Sequence, residues 1–435
     1  MEYLHLIKSK LLPSTLFSPI RLSRVLLFVL LIAPFSKADD VVHLLTAALA
    51  KDSSIKAHIA LERVSTAHLE TAKWAFYPTP SISLQSAVSG FSTNTSERVI
   101  SLSVQQPLWN GGRLQAGLDQ AQADVALRVH TTQAKRVEVA KTVLQTYALW
   151  WVEHQKRLAW DQGVAVHQQF LKQVQRRVSM GVSANIDADL AQGRLSATLA
   201  EQNLALAQEQ MAYEELVFLT GMTGLSLPDN AELPAMDLSL ADYTQQLDAA
   251  LHNSTKVKQA QARVAKALAE QEQDNASLWP QLYLQAERQI GDFSSANYAP
   301  QNTVFIGFSN QLKPGLAFQS DSSASKFAHV AALAEVRSEE QAVERKLRSS
   351  LILLASFDSR QRALNAARGN SKQVYKSFNR QFIAGRKDWQ ELLNSARELV
   401  QSDVQWAQAY GQYLVASWQL QLDIQGLTFL ADHRS

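Results

Sequence analysis

The chain has 435 residues, of which 46% are hydrophobic, with 42 basic and 40 acidic side chains and no cysteine. Its net charge of +2 argues against the strongly basic surface of a nucleic-acid-binding protein, and the lack of cysteine excludes disulfides and a lipid-modified cysteine. The 16 glycines and 11 prolines fall well below the usual shares of roughly 7% and 5%, which favours long unbroken elements.

Residues 1–38 have the pattern of a secretory signal peptide. Basic residues precede an apolar run over 25–35, and the small residues Ser36 and Ala38 stand at positions −3 and −1 of the predicted cleavage site. The run is shorter than the roughly 20 residues of a membrane-spanning helix, so a retained anchor is the weaker alternative. We predict a mature chain that starts at Asp39 with a net charge of −2, because the leader carries five basic residues and one acidic residue.

The first predicted helix covers 41–76, which is rich in Ala, Glu, Gln and Lys and contains no Gly or Pro. The segments 79–89 and 98–108 then predict two strands, joined by a polar loop over 89–97. In the second strand apolar and small polar side chains alternate: Ile100, Leu102, Val104 and Leu108 against Ser101, Ser103 and Gln105.

A helical tract over 112–179 follows. Its apolar residues recur at the 3,4-spacing of a coiled-coil seam, as in Val137, Ala140, Leu144, Tyr147 and Trp151. A helix of this length would be roughly 100 Å long, which exceeds a compact domain. Gly181 suits the left-handed position that ends a helix, so we expect the tract to fold back as a hairpin whose second helix ends near 221.

The same order of landmarks recurs in the second half of the chain. Leu45-Thr46-Ala47-Ala48-Leu49 is matched by Leu247-Asp248-Ala249-Ala250-Leu251 and Tyr77-Pro78 by Trp279-Pro280, both at an offset of 202, and Gly181 with Asp187 is matched by Gly385 with Glu391 at an offset of 204. The predicted elements of this half are a helix over 242–277, strands over 281–290 and 302–312 with a loop over 291–301, and helical tracts over 323–383 and from Gly385 to about 430. We divide the mature chain into two repeats, 39–240 and 241–435, with 222–241 as the connector.

Each predicted strand has about the length that crosses a bilayer when tilted, and its alternation is typical of lipid-facing and lumen-facing positions in a barrel. Four strands cannot close a barrel, so several chains must share one. The predicted fold class is mostly α, with long antiparallel helical hairpins and four transmembrane strands per chain. Tyr77, Trp109 and Trp279, at the helix-side ends of strands, are candidates for an interfacial aromatic girdle, with ordinary helix-end packing as the alternative.

The strand-helix junction Gln106-Pro107-Leu108-Trp109-Asn110-Gly111-Gly112-Arg113 resembles the family motif of TolC-like outer-membrane efflux proteins. The duplicated plan is similar to that family over 41–430. The resemblance implies a homotrimer in which twelve strands form one barrel in outer-membrane lipid, while the helices continue as a tunnel across the periplasm. It identifies Pro107, Gly111 and Gly112 as the junction. The equivalent segment 311–318 lacks the Gly-Gly pair, so its local turn stays open.

The segment 382–394 is similar to the branch of that family that serves type I secretion of large adhesins. This similarity implies two partners, an inner-membrane transporter, with the ABC type favoured, and a periplasmic adaptor protein. An exit duct for drugs or other small molecules is the alternative.

In the family that the chain resembles, acidic residues just past the hairpin turns line the periplasmic mouth. Asp187 and Glu391, each six residues after its turn glycine, occupy the matching positions, and three copies of each would attract cations and select against anions. Asp189 is a further candidate, although residues two apart on a helix do not share a face. For Glu391 the alternative is a capping box with Asp388 at the helix start.

Arg386 and Lys387 are candidates for ion pairs across helices that hold the mouth closed, with solvated cations as the alternative. Exposed ion pairs are individually weak, so a docking partner could open them. The resemblance also implies that the Gly181 and Gly385 turns engage inner-membrane partners, and a plain helix stop explains the same glycines.

No enzyme motif occurs: the ten histidines form no HExxH, and neither GxxxxGK nor GxSxG is found. We expect no catalytic residue, no cofactor and no metal site. Two other classes remain open, a soluble periplasmic coiled-coil adaptor and an envelope hydrolase. The first would need a further β-rich domain, and the second a site that the sequence does not display.

Overall fold

The computed structural model describes residues 39–86, 98–227, 243–291, 300–310 and 317–427. The predicted signal peptide, the whole first strand loop and most of the second lie outside these residues. Most of the connector, with the boundary between the two repeats, and most of the segment 311–318 lie outside them as well. In chain order the elements are α1 (Asp39–Lys51), α2 (Ser53–Trp74), β1 (Thr79–Ser86), β2 (Arg98–Trp109), α3 (Arg113–Ser179), α4 (Asn185–Thr220), α5 (Tyr243–Asn253), α6 (Thr255–Ala276), β3 (Gln281–Ile290), β4 (Gln301–Ser309), α7 (Ala317–Ile383) and α8 (Trp389–Gln425). The predicted class is confirmed, because the described chain is mostly helical with four antiparallel strands.

The opening helix of each half is broken in two, which corrects the expectation of one unbroken helix. The first break lies at Asp52, whose carboxylate accepts a hydrogen bond from the Ile55 amide at 2.9 Å. The second lies at Ser254, whose hydroxyl accepts one from the Val257 amide at 3.3 Å. Both residues are N-caps, because they satisfy a backbone N–H that the new helix leaves free. The two breaks are 202 residues apart, which is the offset of the sequence landmarks.

Two helices of 67 residues, α3 and α7, confirm the predicted long tracts. Helix α7 begins at Ala317 and not at 323. The Ser and Asp residues near its start have low helix propensity, which suggested a later start, but they do not end the helix. The Ser322 hydroxyl contacts the Asn275 side chain of α6 at 3.0 Å. Helix α8 ends at Gln425 and not near 430, because Gly426 adopts a positive φ of 66°.

The core of the helical part lies where the two halves meet. Helix α3 packs against α4 of its own half and against α8 of the other half. The predicted seam residues Ala140, Leu144, Tyr147 and Trp151 are at most 3% exposed, and Leu216 of α4 and Leu414 of α8 are completely buried beside them. The seam spacing therefore identified the side of α3 that joins the halves.

All four strands form a single antiparallel sheet in the order β1-β2-β3-β4. The pairs β1-β2 and β3-β4 are the two predicted hairpins, and β2-β3 joins one half to the other. The register places Leu84 opposite Ile100 and Ile100 opposite Ile290. In the described residues no helix is long and apolar enough to span a membrane.

Candidate functional site

One face of the sheet is mainly apolar and exposed, and the other is mainly polar. Near the loop end the apolar face also carries Arg288 and Asn302, which lie opposite each other, and on the polar face the rings of Tyr283 and Phe305 meet edge to face. The exposed apolar side chains are between 37% and 74% accessible and lie in aligned rows on all four strands: Ile82, Leu84, Ile100, Leu102, Val104, Leu284, Ile290, Val304, Ile306 and Phe308. On the opposite face the Ser81 and Ser103 hydroxyls lie 2.7 Å apart. A soluble protein rarely leaves so continuous an apolar surface in water, so this face favours contact with lipid.

The strand-helix junction depends on its two glycines. Gly111 and Gly112 have φ angles of 61° and 90°, a region that other residues rarely adopt. A Cβ on Gly111 would lie only 2.5 Å from the Cβ of Trp279, so the first junction packs directly against the second half of the chain. At Pro107 the β2-β3 register shifts, and the neighbouring Gln106 Nε2 donates to the Phe76 carbonyl at 3.0 Å.

The three candidate girdle residues lie at the helix-side end of the sheet. Tyr77, Trp109 and Trp279 are 57%, 47% and 59% exposed, so much of each ring is free of helix-end packing. The rings of Trp109 and Trp279 meet edge to face at 6.0 Å between centroids, across the junction that joins the halves. The aromatic girdle stays a prediction, and these exposures favour it over simple helix-end packing.

Both hairpin turns have the same backbone geometry. Gly181 and Gly385 have φ angles of 71° and 72°. In each turn the glycine amide bonds a carbonyl three residues back, at 2.9 and 3.0 Å, and the next amide bonds one five residues back, at 2.9 Å in both. This is the Schellman arrangement, which stops a helix and reverses the chain.

The candidate mouth residue Asp187 is the third residue of α4 and is partly buried. Within the described residues no cationic side chain lies within ion-pairing distance of its carboxylate. Asp189 is exposed and, two positions farther on, faces a different direction. Asp187 therefore carries a negative charge beside the first hairpin turn that no described cationic side chain neutralises, and its position in the first turn of α4 places it near the positive end of that helix dipole.

Glu391 has a different environment from Asp187. Its carboxylate pairs with Lys387 one turn earlier, and the Lys387 ammonium also lies 4.4 Å from the centre of the Phe378 ring. Asp388 caps α8, but its carboxylate accepts from the Trp389 amide at 2.7 Å and not from that of Glu391. The reciprocal capping box is thus not formed. Within the chain Lys387 pairs locally, and Arg386 is exposed.

The sequence analysis missed a groove of about 520 Å³ between α3, α4 and α8. We call it the tip groove. Its lining includes His167 of α3, Arg194 and Glu201 of α4, and Asn394, Arg397 and Gln401 of α8. One sequence pattern could have indicated the groove: the charged residues Asp187, Arg194 and Glu201 are spaced seven apart, which places them on one side of α4. In the described residues no group of His, Asp or Glu side chains could hold a metal ion.

Comparison with protein families finds one match that covers most of the chain. The family described as "Outer membrane efflux protein" matches residues 44–222 and again 246–422. No curated protein matches the sequence significantly.

Several solved structures are similar in fold. A membrane protein from Pseudomonas aeruginosa superposes with a TM-score of 0.76 at 17% identity, covering 89% of this chain and 90% of that chain. The outer membrane protein VceC from Vibrio cholerae gives 0.76 at 13% identity, covering 89% and 96%. The CmeC outer membrane channel of Campylobacter jejuni gives 0.77 at 13% identity, covering 90% and 86%. At such identities the likeness establishes the fold.

Proposed function

The chain belongs to the outer membrane efflux protein family, and on this premise we propose that it is the exit duct of a type I secretion system for a large adhesin. As a member of that family it is an outer-membrane channel with a large periplasmic helical extension, and not an enzyme. Channels of this family are trimers that work with inner-membrane transporters and periplasmic adaptors. The proposal adds that residues 1–38 direct export and that the transporter is of the ABC type.

The exposed apolar face of the sheet carries the outer-membrane channel part of the proposal. The sheet has two open edges, at β1 and β4, and an apolar face with no cover from its own chain. Pairing each β4 edge with the β1 edge of the next copy satisfies the edge backbone groups and places every apolar face in lipid. Three copies give twelve strands.

The adhesin branch of the proposal rests on the sequence resemblance of the segment 382–394, which forms the second hairpin tip. Its apolar side chains build the hairpin tip, since the rings of Phe382 and Trp389 lie 5.9 and 5.6 Å from that of Phe170. Its polar side chains Arg386 and Gln390 are exposed near the tip. A partner that docks there would meet these polar residues, so they are the part of the segment that can distinguish one transport system from another.

Deletion of the gene tests the proposed cargo. We expect the mutant to lose a large protein from its surface, to regain it on complementation, and to keep its susceptibility to drugs. Surface proteomics and growth inhibition assays measure the two effects. Hypersensitivity to several toxic small molecules without loss of a surface protein would contradict adhesin export.

A drug or small-molecule exit duct is the second candidate function, and the description of the family as an efflux protein family favours it. The hypersensitive outcome above would establish it. A soluble coiled-coil adaptor is disfavoured by the exposed apolar face, which would be unprotected in the periplasm.

We propose further that Asp187 contributes more to cation preference at the mouth than Glu391, because Lys387 already offsets the charge of Glu391. Asp187→Asn should therefore lower the cation-to-anion permeability ratio severalfold, and Glu391→Gln should lower it less. Reversal potentials under a salt gradient in planar bilayers measure the ratio. Asp189→Asn removes the same charge from another face of the helix, so comparison of the two variants shows which of these carboxylates acts at the mouth. An unchanged reversal potential for Asp187→Asn would refute the charged ring.

A further inference from the structure

We propose that the tip groove is an anion site inside the duct that takes carboxylate groups of an acidic cargo chain. The inference deepens the proposed function and rests on it for the position of the groove inside the duct. The ability of the groove to bind carboxylates follows from its own residues. Its volume of about 520 Å³ lies within the usual range of ligand sites, roughly 300 to 1,000 Å³.

Two arginines give the groove its charge. Arg194 lines it from α4 and Arg397 from α8, and both side chains are exposed. Within the described residues neither guanidinium has an ion-pair partner. Glu201 is the acidic residue of the lining, so the groove keeps a net positive charge. A guanidinium binds a carboxylate through two parallel hydrogen bonds, which makes this pair of arginines suited to carboxylate-bearing chains.

The other polar lining residues add hydrogen-bonding groups without charge. His167 is 6% exposed at the α3 side of the groove. Burial, and after it the positive charge of Arg194, lowers the pKa of His167, so this imidazole is neutral at neutral pH. Asn394 and Gln401 supply amide N–H donors from α8. The electrostatic attraction for an anion therefore comes from the arginines.

The shape of the groove is set by packed helices. Gly163 lies one turn before His167 on α3, and a Cβ there would lie 3.0 Å from a Val400 methyl and 3.3 Å from the Thr198 methyl. Helices α8 and α4 thus both approach α3 closely at this glycine. Such contacts hold the two arginine-bearing walls at a fixed separation, which is the preorganisation that a binding site needs.

The groove lies on the same side of α4 as the mouth carboxylate. Arg194 follows Asp187 by seven residues, which is about 20° short of two full helical turns and a rise of roughly 10 Å. A cargo chain that enters past Asp187 would next meet Arg194. A cargo chain with basic as well as acidic segments would be attracted at Asp187 through its basic residues and at Arg194 through its carboxylates.

Calorimetry with hexaglutamate tests the site on the full-length protein in detergent, where the ligand has access to both ends of the duct. We expect binding by the native protein, and at least roughly tenfold weaker binding by Arg194→Gln with Arg397→Gln, because glutamine lacks the charge and the paired hydrogen bonds that a guanidinium offers a carboxylate. The control is Arg337→Gln with Arg345→Gln, which removes the same charge from exposed positions on α7 outside the groove. Circular dichroism and oligomer mass establish that each variant is folded and assembled. If a double variant does not assemble, its two single variants are measured in its place.

Equal affinities of the two double variants, or no binding of hexaglutamate by the native protein, would overturn the anion site. Conductance of the native protein in planar bilayers is recorded separately. A protein that binds hexaglutamate through the arginines but forms no channel would retain the site and refute the duct, so the two proposals fail on different measurements.

Discussion

Val104→Lys is expected to prevent assembly of the channel, whereas Ser103→Lys, one residue away on the same strand, is expected to permit it. Val104 is 45% exposed on the apolar face, in register with Pro80 and Ala286. Lysine at the middle of a lipid-facing strand costs about 2–4 kcal/mol, and a homotrimer would incur this cost three times. Ser103 lies on the polar face directly opposite Glu287, where a lysine gains a partner of opposite charge.

The measurement for this pair is the fraction of heat-modifiable oligomer in outer membranes, together with its midpoint of urea unfolding in lipid vesicles. Equal assembly of both variants would mean that the two faces of the sheet are not in different solvents. The expected loss for Val104→Lys with retention for Ser103→Lys would assign the apolar face to lipid.

Gly411→Ala is expected to destabilise the helical part, although alanine normally favours a helix over glycine. Gly411 of α8 is buried against α3, and a Cβ there would overlap the Cγ2 methyl of Val152. Val152 is β-branched and has one strongly preferred rotamer in a helix, so it cannot easily move aside. Overpacking of this kind costs about 1–3 kcal/mol, which exceeds the roughly 1 kcal/mol that alanine gains over glycine in a helix.

Gly369→Ala is the matched control, because it lies inside α7 with no atom within 4 Å of the added Cβ. It should raise the free energy of unfolding by about 0.5–1 kcal/mol. Helical circular dichroism during urea unfolding gives both values. Combining Gly411→Ala with Val152→Ala should recover part of the free energy of unfolding that Gly411→Ala loses. If it does not, overlap with Val152 is not the cause of that loss.

The features that sequence alone predicted are those with local causes. The two faces of the sheet follow from strict alternation along β2, where Ile100, Leu102 and Val104 share one side. The turns at Gly181 and Gly385 follow from the ease with which glycine adopts a positive φ. Such signals require no knowledge of the rest of the fold.

The breaks at Asp52 and Ser254 show where local pattern is misleading. The absence of Gly and Pro suggested continuous helices, but a helix can also stop where an Asp or Ser side chain offers a better partner to the backbone. The polar runs Asp52-Ser53-Ser54 and Asn253-Ser254-Thr255 carried that signal, and helix propensity summed over the long window concealed it.

Contacts between distant parts of the chain could not be predicted. The approach of Gly111 to Trp279 and that of Gly411 to Val152 both arise where one half packs on the other. The tip groove has the same origin, because Arg194 and Arg397 come from different halves and flank α3 only after they dock. The ion pair of Lys387 with Glu391 was missed for a simpler reason, since Asp388 offered an equally plausible capping arrangement.

Light scattering of the protein extracted from outer membranes in mild detergent tests the central claim most directly, because one chain supplies four strands and cannot close a barrel by itself. The proposed duct predicts a protein mass of three mature chains that stays soluble only while detergent is present. A monomer that remains soluble without detergent would contradict the shared barrel, and the exposed apolar face of the sheet would then need another cover.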